Sequence, residues 1–304
     1  MRSAVPGREE PLVFELSRPG KVGFSLPEPG ADEPPREVER ELLREEMPEG
    51  FPELSETEVV RHFTRLSRLN YAIDQGMFPL GSCTMKHNPR VNERTARLPG
   101  LSKIHPLQVE SSVEGALEVM QELEQALCAI TGMDAYSLQP AAGAHGELTG
   151  MLVIRKRLLD KGDERRTVLV PDSAHGTNPA SCILCGMEPE EVRSGADGRI
   201  DFDAFAERVK KGDVAALMLT NPNTLGIFEE RIAEVCALMH EHGGYVYGDG
   251  ANLNAMLGLT RPGDQGIDVI HLNLHKTFTT PHGGGGPGSG PVGVKAELAP
   301  YLPV

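Results

Sequence analysis

From residue 135 onward the chain carries short apolar runs at 135–138, 167–170, 214–219, 245–247 and 269–272. Helix-patterned segments such as 147–159 and 229–242 lie between most of them. Runs this short suit buried strands rather than helices. Strand and helix in alternation imply a largely parallel sheet with helices on both faces, because parallel neighbours need a crossover. The expected class is therefore α/β. Ligands of such sheets sit beyond the carboxyl ends of the strands, so the loops that follow the runs are where chemistry is to be sought.

The flanking regions read differently. Residues 1–54 are rich in Pro, Glu and Arg and weak in periodicity. They read as an extended N-terminal arm with short helical pieces. Phe14, Leu16, Phe24 and Leu26 suit either a loose tail or an arm wrapped on a partner subunit. A helical segment is expected over 55–110, opening at the capping box Ser55-Glu-Thr-Glu58, with Val59, Phe63, Leu66 and Leu69 at helical spacing. A second capping box, Ser111-Ser-Val-Glu114, is expected to open a longer helix with Val113, Leu117, Met120, Leu123, Leu127 and Ile130 on one face. Gly132 would close it in a left-handed cap. Residues 111–304 then form the sheet domain. The chain stops just after a strand-like stretch at 291–294, so it reads either as a lone sheet domain or as a fragment lacking a C-terminal domain.

Composition excludes several classes. A net charge of −14 and a pI near 5.2 argue against a nucleic-acid partner. No apolar run reaches the roughly 18 residues of a membrane span, and the N-terminus lacks the apolar core of a signal peptide. Cys83, Cys128, Cys182, Cys185 and Cys236 are too scattered for a disulfide framework, which favours a reducing cytoplasm.

Two residues stand out at strand exits. Lys276 follows the apolar stretch 267–273 and precedes a glycine-rich turn running through Gly283 to Gly286. Asp249, between two glycines, ends Tyr245-Val-Tyr-Gly. A surface lysine and a turn-forming aspartate are the bland readings. Together they match what pyridoxal phosphate requires: a lysine for the Schiff base and a carboxylate that keeps the ring nitrogen protonated. Gln139-Pro-Ala-Ala-Gly-Ala-His-Gly-Glu147 follows a strand and opens a helix, so Ala142, Gly143 and Ala144 can cradle a phosphate at the helix start. His175, in the loop after the run at 167–170, can stack on an aromatic ring, and Thr224, in Asn221-Pro-Asn-Thr-Leu-Gly226, can offer a polar contact. His275 can orient the lysine or touch the cofactor.

Three patterns are read as decoys. Gly283, Gly285 and Gly288 fit G-x-G-x-x-G outside any strand–turn–helix context. Cys182-Ile-Leu-Cys185 has no second pair and reads as buried thiols within a short helix opened by Asn178-Pro179. His271 and His275 are four apart on what reads as a strand, and no metal site is expected.

Leu80-Gly-Ser-Cys-Thr-Met-Lys-His-Asn-Pro89, the 139–147 segment, Ala174-His-Gly-Thr-Asn-Pro-Ala180, Leu219-Thr-Asn-Pro-Asn-Thr-Leu-Gly226 and Asn273 through Gly288 together resemble the P-proteins of the glycine cleavage system. The likeness runs from about residue 10 to the end and is nearest to subunit 2, the catalytic half of the split form. It implies the type I, aspartate-aminotransferase-like fold. It implies Lys276 as the Schiff-base lysine, Asp249 as the pyridinium partner, His175 as the stacking residue, and Thr224 and Asn273 among the cofactor contacts. His275 is a candidate for proton transfer. The implied reaction decarboxylates glycine and transfers its aminomethyl group to the lipoyl arm of H-protein, with subunit 1 as partner in an α2β2 assembly. Members of this family continue beyond the point where this chain ends, so a small C-terminal domain is expected to be missing. The alternatives are another lyase or transferase of the same fold, an aldolase or aminotransferase, or a non-catalytic subunit, which Lys276 argues against.

Overall fold

The computed structural model describes residues 10–25, 42, 46, 48–77, 86–105, 107–280 and 288–303. The expectations placed on Leu26, on 80–85 and on the glycines at 283–286 lie outside those residues. The chain divides into two compact units, Met1–Phe78 and Pro79–Val304.

The first unit holds α1 (Val13–Leu16) and α2 (Glu56–Ser67). The capping box of α2 is present. The Ser55 hydroxyl accepts the Glu58 amide at 3.4 Å, and the Glu58 carboxylate accepts the Ser55 amide at 3.0 Å. The expected apolar face of α2 is not a core, since Phe63 is exposed and His62 is the buried residue of the helix. Glu10 explains the burial of His62, bonding its Nδ1 at 3.1 Å and the Arg65 guanidinium at 2.5 Å.

The second unit opens with α3 (Arg90–Ala96), α4 (Pro99–Ser102) and α5 (Glu114–Thr131). The second expected capping box does not form. Ser111 and Ser112 sit in a 3-10 turn, the Ser112 hydroxyl turns back to the Val109 carbonyl at 2.7 Å, and Val113 takes the cap position with no side-chain bond. Gly132 closes α5 at φ 74°, left-handed as expected.

The chain then alternates as β1 (Ala135–Ser137), α6 (Gly143–Asp160), β2 (Thr167–Pro171), α7 (Thr177–Leu184), β3 (Glu188–Val192), α8 (Phe202–Val209), β4 (Val214–Thr220), α9 (Ile232–Glu241), β5 (Tyr245–Gly250), β6 (Val269–Leu272), α10 (Leu274–Thr277) and β7 (Val292–Val294). The strands form one seven-stranded sheet ordered β1-β7-β6-β5-β4-β2-β3. Pairings from β6 through β3 are parallel; β7 runs antiparallel to both of its neighbours.

Side-chain alternation along the strands sorts the core into two layers. Leu169, Leu217, Leu219, Val246, Ile270 and Leu272 pack with α5, α8 and α9. Val168, Val170, Met218, Tyr245, Tyr247 and Val269 pack with α6 and α7 on the other face. The order of connection reverses between β2 and β4, which makes their carboxyl ends the crevice where a ligand fits.

Candidate active site

Three strand ends lie in register at that crevice. Thr220 of β4 is level with Asp249 of β5, and Asp249 with His271 of β6. All three are buried. The Asp249 carboxylate accepts the Ala251 amide at 2.9 Å and approaches the Asn178 amide nitrogen and His271 Nε2, each at 3.5 Å. Tyr247 sits one turn of the pleat below. Burial pushes its hydroxyl well above the usual range, and that hydroxyl lies 2.6 Å from His271 Nδ1. Nε2 of the same ring faces the acceptor Asn273 Oδ1 at 3.1 Å. His271 Nε2 is therefore a donor beside Asp249.

Helix α6 forms one wall, and its glycines explain how closely it approaches. A Cβ on Gly143 would lie 2.0 Å from the Asn273 side chain, and one on Gly150 2.5 Å from the Tyr247 ring. Ala142 is the extended N-cap and uses no side-chain bond. The first-turn amides of α6 lack intrahelical acceptors and carry the positive end of the helix dipole.

Lys276 comes from the opposite side. It sits on the single-turn helix α10 rather than in an open turn, because the Asn273 carbonyl accepts the Lys276 amide at 2.9 Å and starts a helical turn where β6 stops. For the same reason His275 lies on α10, so His271 and His275 are not on one strand as expected. Among the described residues the Lys276 ammonium has no hydrogen-bond or ion-pair partner. The turn is held from behind: the Lys86 ammonium donates to the His275 carbonyl at 2.6 Å, and the Asn88 side chain to the Thr280 carbonyl at 2.8 Å.

The third side is the β2–α7 loop. His175 is exposed, and its Nδ1 lies 2.8 Å from the Thr177 hydroxyl. That hydroxyl donates to Glu147 of α6 at 2.9 Å, and Ser181 donates to the other Glu147 oxygen at 3.2 Å. Burial, and then the Asp249 charge, push the Glu147 carboxyl up. Thr224 donates to the Ser173 carbonyl and joins the loops after β2 and β4.

These elements enclose a cleft of about 720 Å³, within the usual range for small-ligand sites. Lys276, His275, Asn273, Asp249, His175, Thr224, Gly143 and Ala144 all line it; Ala142 sits one step back. Sequence reading passed over Glu147, Thr177 and His271 as site residues. The signal for Glu147 was a carboxylate on a helix face otherwise lined by Gly143, Gly146 and Gly150. Glu147, Asp249 and His271 bring one donor atom each to within 4.8 Å of one another. The His271 nitrogens also bond outside this group, to Tyr247 and Asn273. Cys182 and Cys185 pack in the core. Burial pushes their thiols up to about 12 and about 11, which leaves them inert.

Residues 32–304 match the family model described as glycine cleavage system P-protein. The chain belongs to this family. It is 60% identical over 299 residues to the "probable glycine dehydrogenase (decarboxylating) subunit 2" of Halalkalibacterium halodurans, covering 97% of this chain and 61% of that protein. The chain thus spans about three fifths of the length of this curated relative. Its fold matches a solved glycine decarboxylase (P-protein) in inhibitor-bound form at a TM-score of 0.68 and 22% identity, over 85% of this chain and 56% of that one. It also matches an Oryza sativa TDC solved with PLP and tryptamine, at a TM-score of 0.58 and 15% identity, over 87% and 62%. A mostly parallel sheet covered on both faces is therefore a P-protein fold. No helix of the described residues is long and apolar enough to cross a membrane.

Proposed function

We propose that this chain supplies the pyridoxal phosphate centre of a glycine-decarboxylating P-protein and acts as its subunit 2. The observation that carries the reading is one cleft walled by a lysine with no partner among the described residues, a buried aspartate and a helix N-terminus. The residues fit the cofactor. Lys276 is free to attach it, and the first turn of α6, opened by Gly143 and Ala144, is a ready anion site. Asp249 is a buried carboxylate suited to a protonated ring nitrogen. Among the described residues Thr220 Oγ1, at the cleft, is buried without a hydrogen-bond partner, and a ligand group there would satisfy it.

When bound, the cofactor supplies an electron sink for the pair left behind as the glycine carboxylate departs as CO2. The protein's share is positioning and charge. The Ala251 amide donates to the Asp249 carboxylate, and His271 Nε2 faces it. His175 and His275 line the cleft from opposite sides, His175 for ring stacking and His275 for proton transfer near the lysine. Asn273 and Thr224 add polar contacts. The acceptor of the aminomethyl group is the lipoyl arm of H-protein, and a subunit 1 completes the enzyme in an α2β2 assembly in the cytoplasm.

The test is exchange of labelled bicarbonate into the carboxyl of glycine. It is run on the chain with subunit 1 and lipoylated H-protein, with threonine as the control substrate. Exchange with glycine that is lost in Lys276→Ala supports the reading. Retro-aldol cleavage of threonine without exchange would replace it with an aldolase.

A further inference from the structure

His175, Thr177 and Glu147 form a chain of hydrogen bonds that the proposed function does not use. The Thr177 hydroxyl has a single proton. Glu147 accepts it at 2.9 Å, and the second Glu147 oxygen is occupied by Ser181 at 3.2 Å. The Thr177 oxygen is thereby left as an acceptor toward His175 Nδ1, 2.8 Å away. That contact is satisfied only if Nδ1 carries the ring proton. The Thr177 amide also approaches Nδ1, at 3.3 Å, and it would demand a bare nitrogen. The two contacts compete for one ring atom. The shorter one, whose hydroxyl proton is already committed to Glu147, prevails.

We propose that Glu147, acting through Thr177, is a positioning residue that holds His175 in its Nδ1–H form and leaves Nε2 as a proton acceptor at the cleft. Neutral imidazole otherwise has two tautomers, and the partner of one nitrogen decides the state of the other. Glu147 makes no direct bond to His175, so its effect is carried by the direction of one hydroxyl. A proton-accepting Nε2 is an addition to the ring stacking that the proposed function gives His175; the tautomer itself does not rest on that function.

The experiment is two-bond proton–nitrogen NMR on the full chain with nitrogen-15 histidine and no added cofactor. His175 is assigned by the signals lost in His175→Asn. The expected result is a protonated-type resonance for Nδ1 and a bare-type resonance for Nε2. Thr177→Val removes the hydroxyl and leaves only the amide facing Nδ1, so the tautomer inverts to Nε2–H. Thr177→Ser restores the wild-type pattern. Glu147→Leu frees the hydroxyl proton to turn toward His175 and inverts the tautomer as well. Wild-type protein already in the Nε2–H form, or Thr177→Val that keeps Nδ1–H, overturns the proposal. Inversion by Thr177→Val but not by Glu147→Leu in a folded variant overturns the part given to Glu147. Because no cofactor is present, the result stands whether or not the chain decarboxylates glycine.

Discussion

Helices α5 and α6 are both 18 residues long and lie in the same unit, yet they meet their surroundings in opposite ways. α6 has weak apolar periodicity and is largely buried, with Gly143, Gly146 and Gly150 letting its backbone press onto β5 and β6. α5 has the stronger apolar stripe, yet Leu117, Val119 and Met120 are about half exposed, and only Leu127 and Thr131 are buried. Apolar spacing reports that a helix is able to pack, not what it packs against. Close approach by small residues leaves a fainter trace in sequence and builds the wall of the cleft.

Substitutions that exchange the properties of the two helices sharpen this contrast. The largest effect is expected from Gly150→Leu. Even a Cβ there would lie 2.5 Å from the Tyr247 ring and 2.9 Å from Val269. Overpacking of that kind costs about 3 kcal/mol, read as a lower midpoint in urea unfolding. Leu127→Ala, at the buried end of α5, is expected to cost about the same, roughly 3 kcal/mol, by opening a cavity. Leu117→Ala and Met120→Ala, on the exposed half of the same helix, should stay within about 0.5 kcal/mol of wild type in the same assay. Equal losses at Leu127 and Leu117 would contradict the division of α5 into a packed and an unpacked half.

A smaller effect is expected on the far side of the sheet from α6, at α9. The His240 ring bonds the Asp268 carboxylate at 2.8 Å, and this bond raises its pKa above 6.5. A raised folded pKa gives stability that is full below the unfolded pKa and fades as pH rises through the folded value. The His240 side chain is 41% exposed, so solvent screening keeps the contribution small, about 0.5 kcal/mol or less. His240→Ala should therefore lower the unfolding midpoint near pH ~5 and leave it unchanged near pH ~9.

Much of the site was legible because it follows strands. β4, β5 and β6 fall on the apolar runs, and a parallel sheet places Asp249 at the end of β5 and Thr224 and Lys276 just past the ends of β4 and β6. β3 was not legible. Glu188-Pro-Glu-Glu-Val192 is not an apolar run, and it lies at the sheet edge, where Arg208 of α8 pairs with Glu190 at 2.6 Å. The helical pattern of α6 was visible only from Glu147, because glycines hide periodicity, although its opening at 142–144 was read from the turn that follows β1. Glu147 lies one turn inside that helix and faces Thr177, a contact between residues 30 apart that leaves no local trace in the sequence. The tautomers of His175 and His271 depend on neighbours far away in sequence, which no local pattern records.

The central claim is that Lys276 and the α6 wall make one cofactor-competent cleft. The direct test is to incubate the chain with pyridoxal phosphate, reduce with borohydride, digest, and locate the label by mass spectrometry. The account predicts a single label on the peptide containing Lys276, lost in Lys276→Ala. Folded protein that carries no label, or label spread over other lysines with Lys276 unmodified, would contradict it.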